Sequence, residues 1–480
     1  MKRTHIIIMI VGTIFIFLSV FHSNIWFDEA YSVGIANQTF VDIWKIGGHD
    51  VHPVLYYWML RIVNLLTNGS ILAYRLFSAL PIALLGLLGY THIRKDFDEK
   101  TGVIFSFLCY FLPMMAVYAN QIRMYSWAIF IVTILAIYAY RIYLGQGTKK
   151  NWIIFGISSL ASIFIHYYGL MVAGLINVFL LVHLIKNKKW KDLRWQIFFG
   201  IIQVVLYIPW LLYLVSQMEH VSKGFWIGFE FPDTIFEIIG CQMNGTINTT
   251  LALSIGFIVN VLLFIYLGIT AYKKRKDEAI DFEPVKYAVI VYLSVIIAAL
   301  IITAVLKSSI LYYRYLFVIT GLYIFVVSYI LSKSDNKRIV ITILAIICIL
   351  GINNNIVQIK ENYADGNKNQ IEYLKENIQE GDVLVYSNIG NGSIFASNFK
   401  ENKQYFYNGA DWGVEEAYKA WAPQMETYTT TDFLAECTGR IWIIDSQDNG
   451  FYNELFNNQD FKFISTKYFE QKYQSYIYNS

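Results

Sequence analysis

Apolar stretches long enough to cross a bilayer dominate this chain and constrain it more than any other feature. A hydrocarbon core of about 30 Å needs about 20 apolar residues per helix. Such stretches run roughly over 5–24, 70–92, 101–119, 125–144, 151–166, 168–185, 196–216, 251–272, 285–305, 314–331 and 338–353, about eleven in all. Lipid offers backbone groups no hydrogen bonds, so runs like these fold as helices. The expected class is therefore an α-helical polytopic membrane protein. Composition agrees. Of 480 residues, 56% are hydrophobic and 15% charged, against roughly 25% charged in soluble domains. Too few polar side chains remain to cover a water-facing surface, which excludes an ordinary cytosolic enzyme or a disordered chain. A net charge of +3 indicates no nucleic-acid partner. The four cysteines make neither a disulfide framework nor a metal-finger pattern, although Cys241 and Cys437 could pair.

Charge orients the spans. The first run lacks a small-x-small cleavage site and reads as an uncleaved anchor. Lys2 and Arg3 precede it, which places the N-terminus in the cytoplasm. Basic clusters at Arg94–Lys100, Lys149–Lys150, Lys186–Arg194, Lys273–Lys276 and Lys333–Arg338 must then share that side. They do so only if the apolar segment 53–67 does not cross. It is expected to be an amphipathic helix on the membrane surface, with Arg61 in its middle. The loops 25–69 and 217–250 are then extracytoplasmic, the second a candidate lid. Residues 1–353 form the transmembrane domain. Residues 354–480 are polar, contain no span and read as an extracytoplasmic α/β domain. Its expected elements are helix 366–378, strand 382–387, helix 391–400, strand 440–445, helix 450–457 and strand 461–469.

The residues able to do chemistry gather on that outer side. The first loop opens with Trp26-Phe27-Asp28-Glu29-Ala30-Tyr31. A carboxylate at the apolar boundary is partly desolvated and gains basicity, which suits a general base. Adjacent acids there also suit the first turn of a helix. The same loop closes with His49-Asp50-Val51-His52-Pro53, where Asp50 and His52 could meet a divalent metal or a phosphate. Arg123, Lys307 and Arg314 fall at the outer ends of spans, against the positive-inside pattern. A lipid phosphate would explain them, because arginine offers it a bidentate fork. Headgroup snorkelling is the plainer reading. His166 lies between two spans at the same level, where metal or substrate contact is open.

Taken in order, Trp26 to Tyr31, Asp50-Val51-His52-Pro53-Val54-Leu55-Tyr56-Tyr57, Arg123-Met124-Tyr125, His166-Tyr167-Tyr168 and Arg314-Tyr315 resemble the GT-C superfamily of polyprenyl-phosphate-sugar-dependent glycosyltransferases. Within it the chain is similar to the bacterial protein O-mannosyltransferase and aminoarabinose transferase branch. The resemblance covers residues 1–353. It departs from the pattern where His52-Pro53-Val54 replaces the usual Pro-Pro pair. It implies inverting transfer of a hexosyl or pentosyl unit from a polyprenyl-phosphate donor to an acceptor hydroxyl on the extracytoplasmic face. The acceptor would be a lipid, a glycan or a protein. It also implies Asp28 as catalytic base with Glu29 beside it. Asp50, His52, Arg123, Tyr125, Lys307 and Arg314 would contact donor phosphate or substrate, and a divalent metal would fall to Asp50 and His166.

A transporter or lipid flippase of cell-envelope precursors is the alternative. Transporters place ionisable groups near the bilayer midplane, often with repeat symmetry. Here the carboxylates cluster at the boundary and the spans show no repeat, which favours the enzyme.

Overall fold

The structure is a computed structural model that describes residues 2–223, 227–243, 250–364, 368–386, 389–407, 415–444 and 464. Its helices are α1 (Lys2–Phe17), α2 (Phe27–Ile35), α3 (Phe40–His49), α4 (Leu55–Thr67), α5 (Ile71–Leu88), α6 (Arg94–Asp96), α7 (Glu99–Phe111), α8 (Pro113–Tyr118), α9 (Tyr125–Tyr143), α10 (Lys149–Ile165), α11 (Tyr167–Lys186) and α12 (Trp190–Ser222). They continue as α13 (Asp233–Gly240), α14 (Thr250–Lys274), α15 (Glu283–Leu306), α16 (Thr320–Ser332), α17 (Lys337–Asn362), α18 (Lys368–Asn377), α19 (Ile389–Ala396) and α20 (Glu415–Tyr418). A π turn at Gly89–Ile93 joins α5 to α6, and a 3-10 helix at Tyr313–Ile319 leads into α16. The strands are β1 (Val383–Tyr386), β2 (Lys403–Tyr407), β3 (Glu426–Tyr428) and β4 (Ile441–Ile444).

Among the described residues eight helical segments are long and apolar enough to cross a membrane. They are Ile71–Asp96, Tyr125–Tyr143, Tyr167–Lys186, Trp190–Ser222, Leu251–Lys274, Glu283–Leu306, Tyr313–Ser332 and Lys337–Asn362. The expected count of about eleven is not confirmed. The other three expected spans contain shorter helices, with 16 residues in α1, 13 in α7 and 17 in α10. The run 101–119 breaks at Leu112, whose ψ of 128° is extended. The residue before a proline is pushed out of the helical region, and Pro113 then opens α8. The expected loop 217–250 shrinks because α12 continues to Ser222 and α13 occupies 233–240. Cys241, beside it, is a buried free thiol whose Sγ donates to the Ile238 carbonyl, and Cys437 is a free thiol as well.

Contacts divide the chain into two units. One contains residues 1–21, 52–56 and 75–359; the other contains 22–51, 57–74 and 360–480. In the first, α7 packs on α1 and α16, and α10 packs on α9 and α11. Ion pairs gather where the basic loops meet: Arg141 with Asp96, Lys333 with Asp98, and Lys274 with Asp335. Asp98 also caps α7 by accepting the Thr101 N–H. Burial works against its charge, yet the Lys333 and Thr101 hydrogen bonds prevail and hold the carboxyl below its usual range.

The second unit carries a four-stranded parallel sheet of order β3-β2-β1-β4. Val383 pairs with Lys403 on one side and with Ile441 on the other. A parallel strand covered on both faces reads as a continuous apolar run, and β1, Val-Leu-Val-Tyr, is buried throughout. Val383, Val385, Tyr405, Phe433 and Leu434 form its core. Helix α18 and strands β1 and β4 fall where they are expected, and α19 begins two residues earlier. Strands β2 and β3 are additions: Lys-Gln-Tyr-Phe-Tyr and Glu-Thr-Tyr are too short and too polar to stand out by pattern alone. The expected helix 450–457 and strand 461–469 lie outside the described residues, apart from residue 464.

Candidate active site

In the membrane unit the site grows from two helix breaks. Between α8 and α9 the chain turns through Ala119–Met124, and Arg75 holds that turn. Its guanidinium donates to the Asn120 carbonyl at 3.0 Å, while Asn120 Nδ2 donates to Ser19 Oγ at 2.9 Å. Arg75 is 1% exposed within an otherwise apolar helix. An arginine there is costly and marks a built contact. Sequence reading passed over it, although a cation inside an apolar run was the available signal.

The turn presents Arg123, itself 3% exposed. Its guanidinium donates to His52 Nε2 at 3.0 Å. Arginine has no acceptor, so Nε2 must accept and the imidazole proton sits on Nδ1. His52 leads through Pro53 into α4, where Tyr56 is fully buried with its hydroxyl 2.8 Å from Ser78 Oγ.

The second break separates α10 from α11 at His166, which is extended and buried. Its Nδ1 accepts the Tyr168 N–H at 3.1 Å, capping α11. One ring nitrogen is thus committed to the fold. Tyrosines surround the ring: Tyr315 at 5.3 Å, Tyr125 at 5.7 Å and Tyr168 at 5.9 Å between centroids. The Tyr168 hydroxyl donates to the Ile310 carbonyl, which ties this set to the segment before the 3-10 helix. Arg314, on that helix, lies 5.5 Å from the Tyr312 ring. Lys307 differs. It ends α15 exposed, with φ of 55°, and no hydrogen bond or ion pair joins it to these groups among the described residues. The structure therefore brings His52, Arg123, Tyr125, His166 and the Tyr312–Tyr315 turn toward one end of the membrane unit. A buried guanidinium, a second arginine and several tyrosine hydroxyls can receive an oxyanion and pack against a ring.

In the other unit Asp28 and Glu29 open α2. Glu29 is 1% exposed and its carboxylate accepts the Trp26 N–H at 3.2 Å, closing the helix start. Asp28 is half-buried one residue earlier, and its carbonyl accepts Ser32 Oγ. The far end of α2 is capped by Arg61, which donates to the Ala36 carbonyl at 3.3 Å and the Asn37 carbonyl at 3.4 Å. A cation suits a helix C-terminus. Asn64 braces Arg61 and donates to Asn37 Oδ1 and to the Tyr74 hydroxyl. Arg61, expected at a membrane surface, is therefore a cap for the helix that bears Asp28. Asp50 ends α3, half-buried, with its N–H donating to the Gly47 carbonyl. Among the described residues no three His, Cys, Asp or Glu side chains gather to hold a metal ion.

The family model for dolichyl-phosphate-mannose-protein mannosyltransferase matches residues 51–213, which include His52, Arg123, Tyr125 and His166. The crystal structure of ArnT from Cupriavidus metallidurans in the apo state is similar in fold, with TM-score 0.55 at 13% identity, covering 85% of this chain and 86% of that one. The chain has an ArnT-like fold. ArnT from the same organism bound to undecaprenyl phosphate matches with TM-score 0.52 at 13% identity, over 88% of this chain and 89% of that one. Comparison with curated proteins gave no match. The ArnT-type likeness covers both units, whereas the family match lies within the membrane part and the loop before it. Asp28, Lys307 and Arg314 fall outside that match.

Proposed function

We propose that this protein is a membrane glycosyltransferase that moves a sugar from a polyprenyl-phosphate donor to an acceptor hydroxyl on the extracytoplasmic face. The observation that carries this reading is the buried Arg123 guanidinium bonded to His52 at the tyrosine-lined end of the membrane unit. A guanidinium set among imidazoles and tyrosine hydroxyls is the kind of group that recognises a phosphate. A lipid phosphate supplies one, and the ArnT relative is described with undecaprenyl phosphate bound.

The reaction is a single displacement. The acceptor oxygen forms a bond to the anomeric carbon, and the bond from that carbon to the phosphate oxygen breaks. The leaving phosphate keeps the electron pair, and Asp28 takes the acceptor proton. Attack opposite the leaving group inverts the anomeric centre. Arg123 and Arg314 stabilise the charge that grows on the phosphate, and fixed donors perform this without reorganisation. Glu29 serves by holding the start of α2 rather than by transferring a proton. Asp50, His52 and Tyr125 contact the donor, and Lys307 is the exposed member of the phosphate group. His166 acts through its cap and its ring packing.

The test is mass spectrometry of envelope glycans from a deletion strain, paired with binding of undecaprenyl phosphate to the purified protein. Loss of one sugar from one acceptor, together with saturable binding, is the expected result. An unchanged glycan profile or an absence of binding overturns the reading.

A further inference from the structure

The helix that bears Asp28 is seated on the C-terminal module at three points along one face. Gly34 faces the chain at Ala420 so closely that a Cβ added to it would lie 2.0 Å from the Ala420 carbonyl oxygen. Phe27, next to Asp28, meets the Trp421 ring at 6.2 Å. Gln38, just past the helix, donates through Nε2 to the Lys419 carbonyl at 2.9 Å. Residues 27, 34 and 38 are seven and four apart, the spacing of one helical face. Helix α19 packs on α2 as well. Before the helix, Asn24 Nδ2 donates to the Asn362 carbonyl at 3.0 Å.

Trp421 is itself seated. It is 3% exposed and packs on Tyr418, whose ring stacks on Phe406 of β2 at 4.8 Å. The sheet of the C-terminal module is thus coupled to α2 through Phe406, Tyr418 and Trp421. Catalytic groups work when held to within a fraction of an ångström by neighbours that are themselves locked.

We propose that Gly34, Gln38 and Trp421 are positioning residues, and that residues 419–421 form the seat that aims α2. The C-terminal module then belongs to the catalytic machinery as the support of Asp28. This rests on the reading of Asp28 as the base.

The test compares Gly34→Leu, Gln38→Ala, Trp421→Ala and Trp421→Phe in the full chain, expressed in the deletion strain. Two quantities are read: restoration of the lost glycan modification per molecule in the membrane, and affinity of each purified variant for undecaprenyl phosphate. Gly34→Leu and Trp421→Ala are expected to restore modification about 10- to 100-fold less well, the cost of misplacing a catalytic group. Gln38→Ala falls in the same direction by less. Trp421→Phe recovers most of the loss. Affinity for undecaprenyl phosphate stays within about twofold, because a purely positional defect leaves donor binding intact. Gly200→Ala, which meets nothing within 4 Å, is the control and leaves both quantities unchanged. Full restoration by the Gly34 and Trp421 variants overturns the proposal. So does loss of lipid-phosphate binding in step with modification, which marks general unfolding. Asp28→Asn separates the two readings: normal transfer by that variant defeats the base, whereas an inactive Asp28→Asn beside normal Gly34 and Trp421 variants defeats only the seat.

Discussion

Arg123 donates to His52 Nε2 at 3.0 Å, joining residues 71 positions apart. A guanidinium offers a planar fork of donors that suits a phosphate. Arg123→Lys keeps the charge but loses the planar fork, so affinity for undecaprenyl phosphate is expected to fall by about tenfold. Equilibrium binding to purified protein measures it. Unchanged affinity would remove Arg123 from the donor site.

Asp28→Asn removes a proton acceptor while preserving size and the first turn of α2. Sugar transfer is expected to drop by about 10² to 10⁴, the usual contribution of a general base. Protein abundance and undecaprenyl phosphate binding stay unchanged. Near-normal glycan modification in cells would show that another group takes the proton.

Lys307 sits with φ of 55°, a left-handed conformation that side chains with a Cβ adopt at a cost. Lys307→Gly should therefore raise stability by about 1 kcal/mol. If Lys307 also serves the donor phosphate, the more stable protein is less active. Arg314→Ala is expected to weaken lipid-phosphate binding without the stability gain. Thermal unfolding and binding on the same samples separate these effects; equal activity in Lys307→Gly makes Lys307 a helix terminus and nothing more.

The C-terminal module should lose stability in strong acid. Burial opposes the Asp382 charge, yet Arg440 and the N–H groups of Gln379 and Trp442 outweigh it and hold the carboxyl at about 2. The folded state thus binds the proton less readily than the unfolded chain, whose carboxyl has the ordinary value of 3.8. The contribution is complete above that value and is lost as pH falls from there toward about 2. Asp382→Asn should flatten this part of a pH–stability curve. An identical acid limb in the variant would show that Asp382 does not set it.

Glu380 is exposed on the C-terminal module. A cysteine placed there, with Cys437 changed to serine, should react with an impermeant thiol reagent on intact cells. Protection would reverse the proposed orientation and put the module in the cytoplasm.

Much of the architecture was legible because it is local. Apolar runs of about twenty residues declare spans without any partner, since lipid forces each segment to satisfy its own backbone. The short breaks were harder. Leu112-Pro113 divides one expected span, and the continuation of α12 to Ser222 shortens an expected loop, because a polar helical turn looks like a loop by composition. The site was legible as residue types. Arg123, His52 and His166 could each be named from their positions in the chain. That Arg123 bonds His52, and that His166 spends one nitrogen on a helix cap, could not be read, since these depend on segments far apart in sequence.

Sequence alone determined that this protein crosses a membrane many times, that a polar α/β module follows, and that acids, imidazoles and arginines border the spans. Periodicity, hydropathy and charge act over a few turns of chain and need no tertiary context. Only the folded structure decided that Glu29 and Arg61 are the two caps of the Asp28 helix, that buried Arg75 steadies the Arg123 turn, and that the first loop packs with residues 360–480. Those assignments are set by close packing and by the need to pair every buried polar group, and pairing partners are chosen in space rather than along the chain.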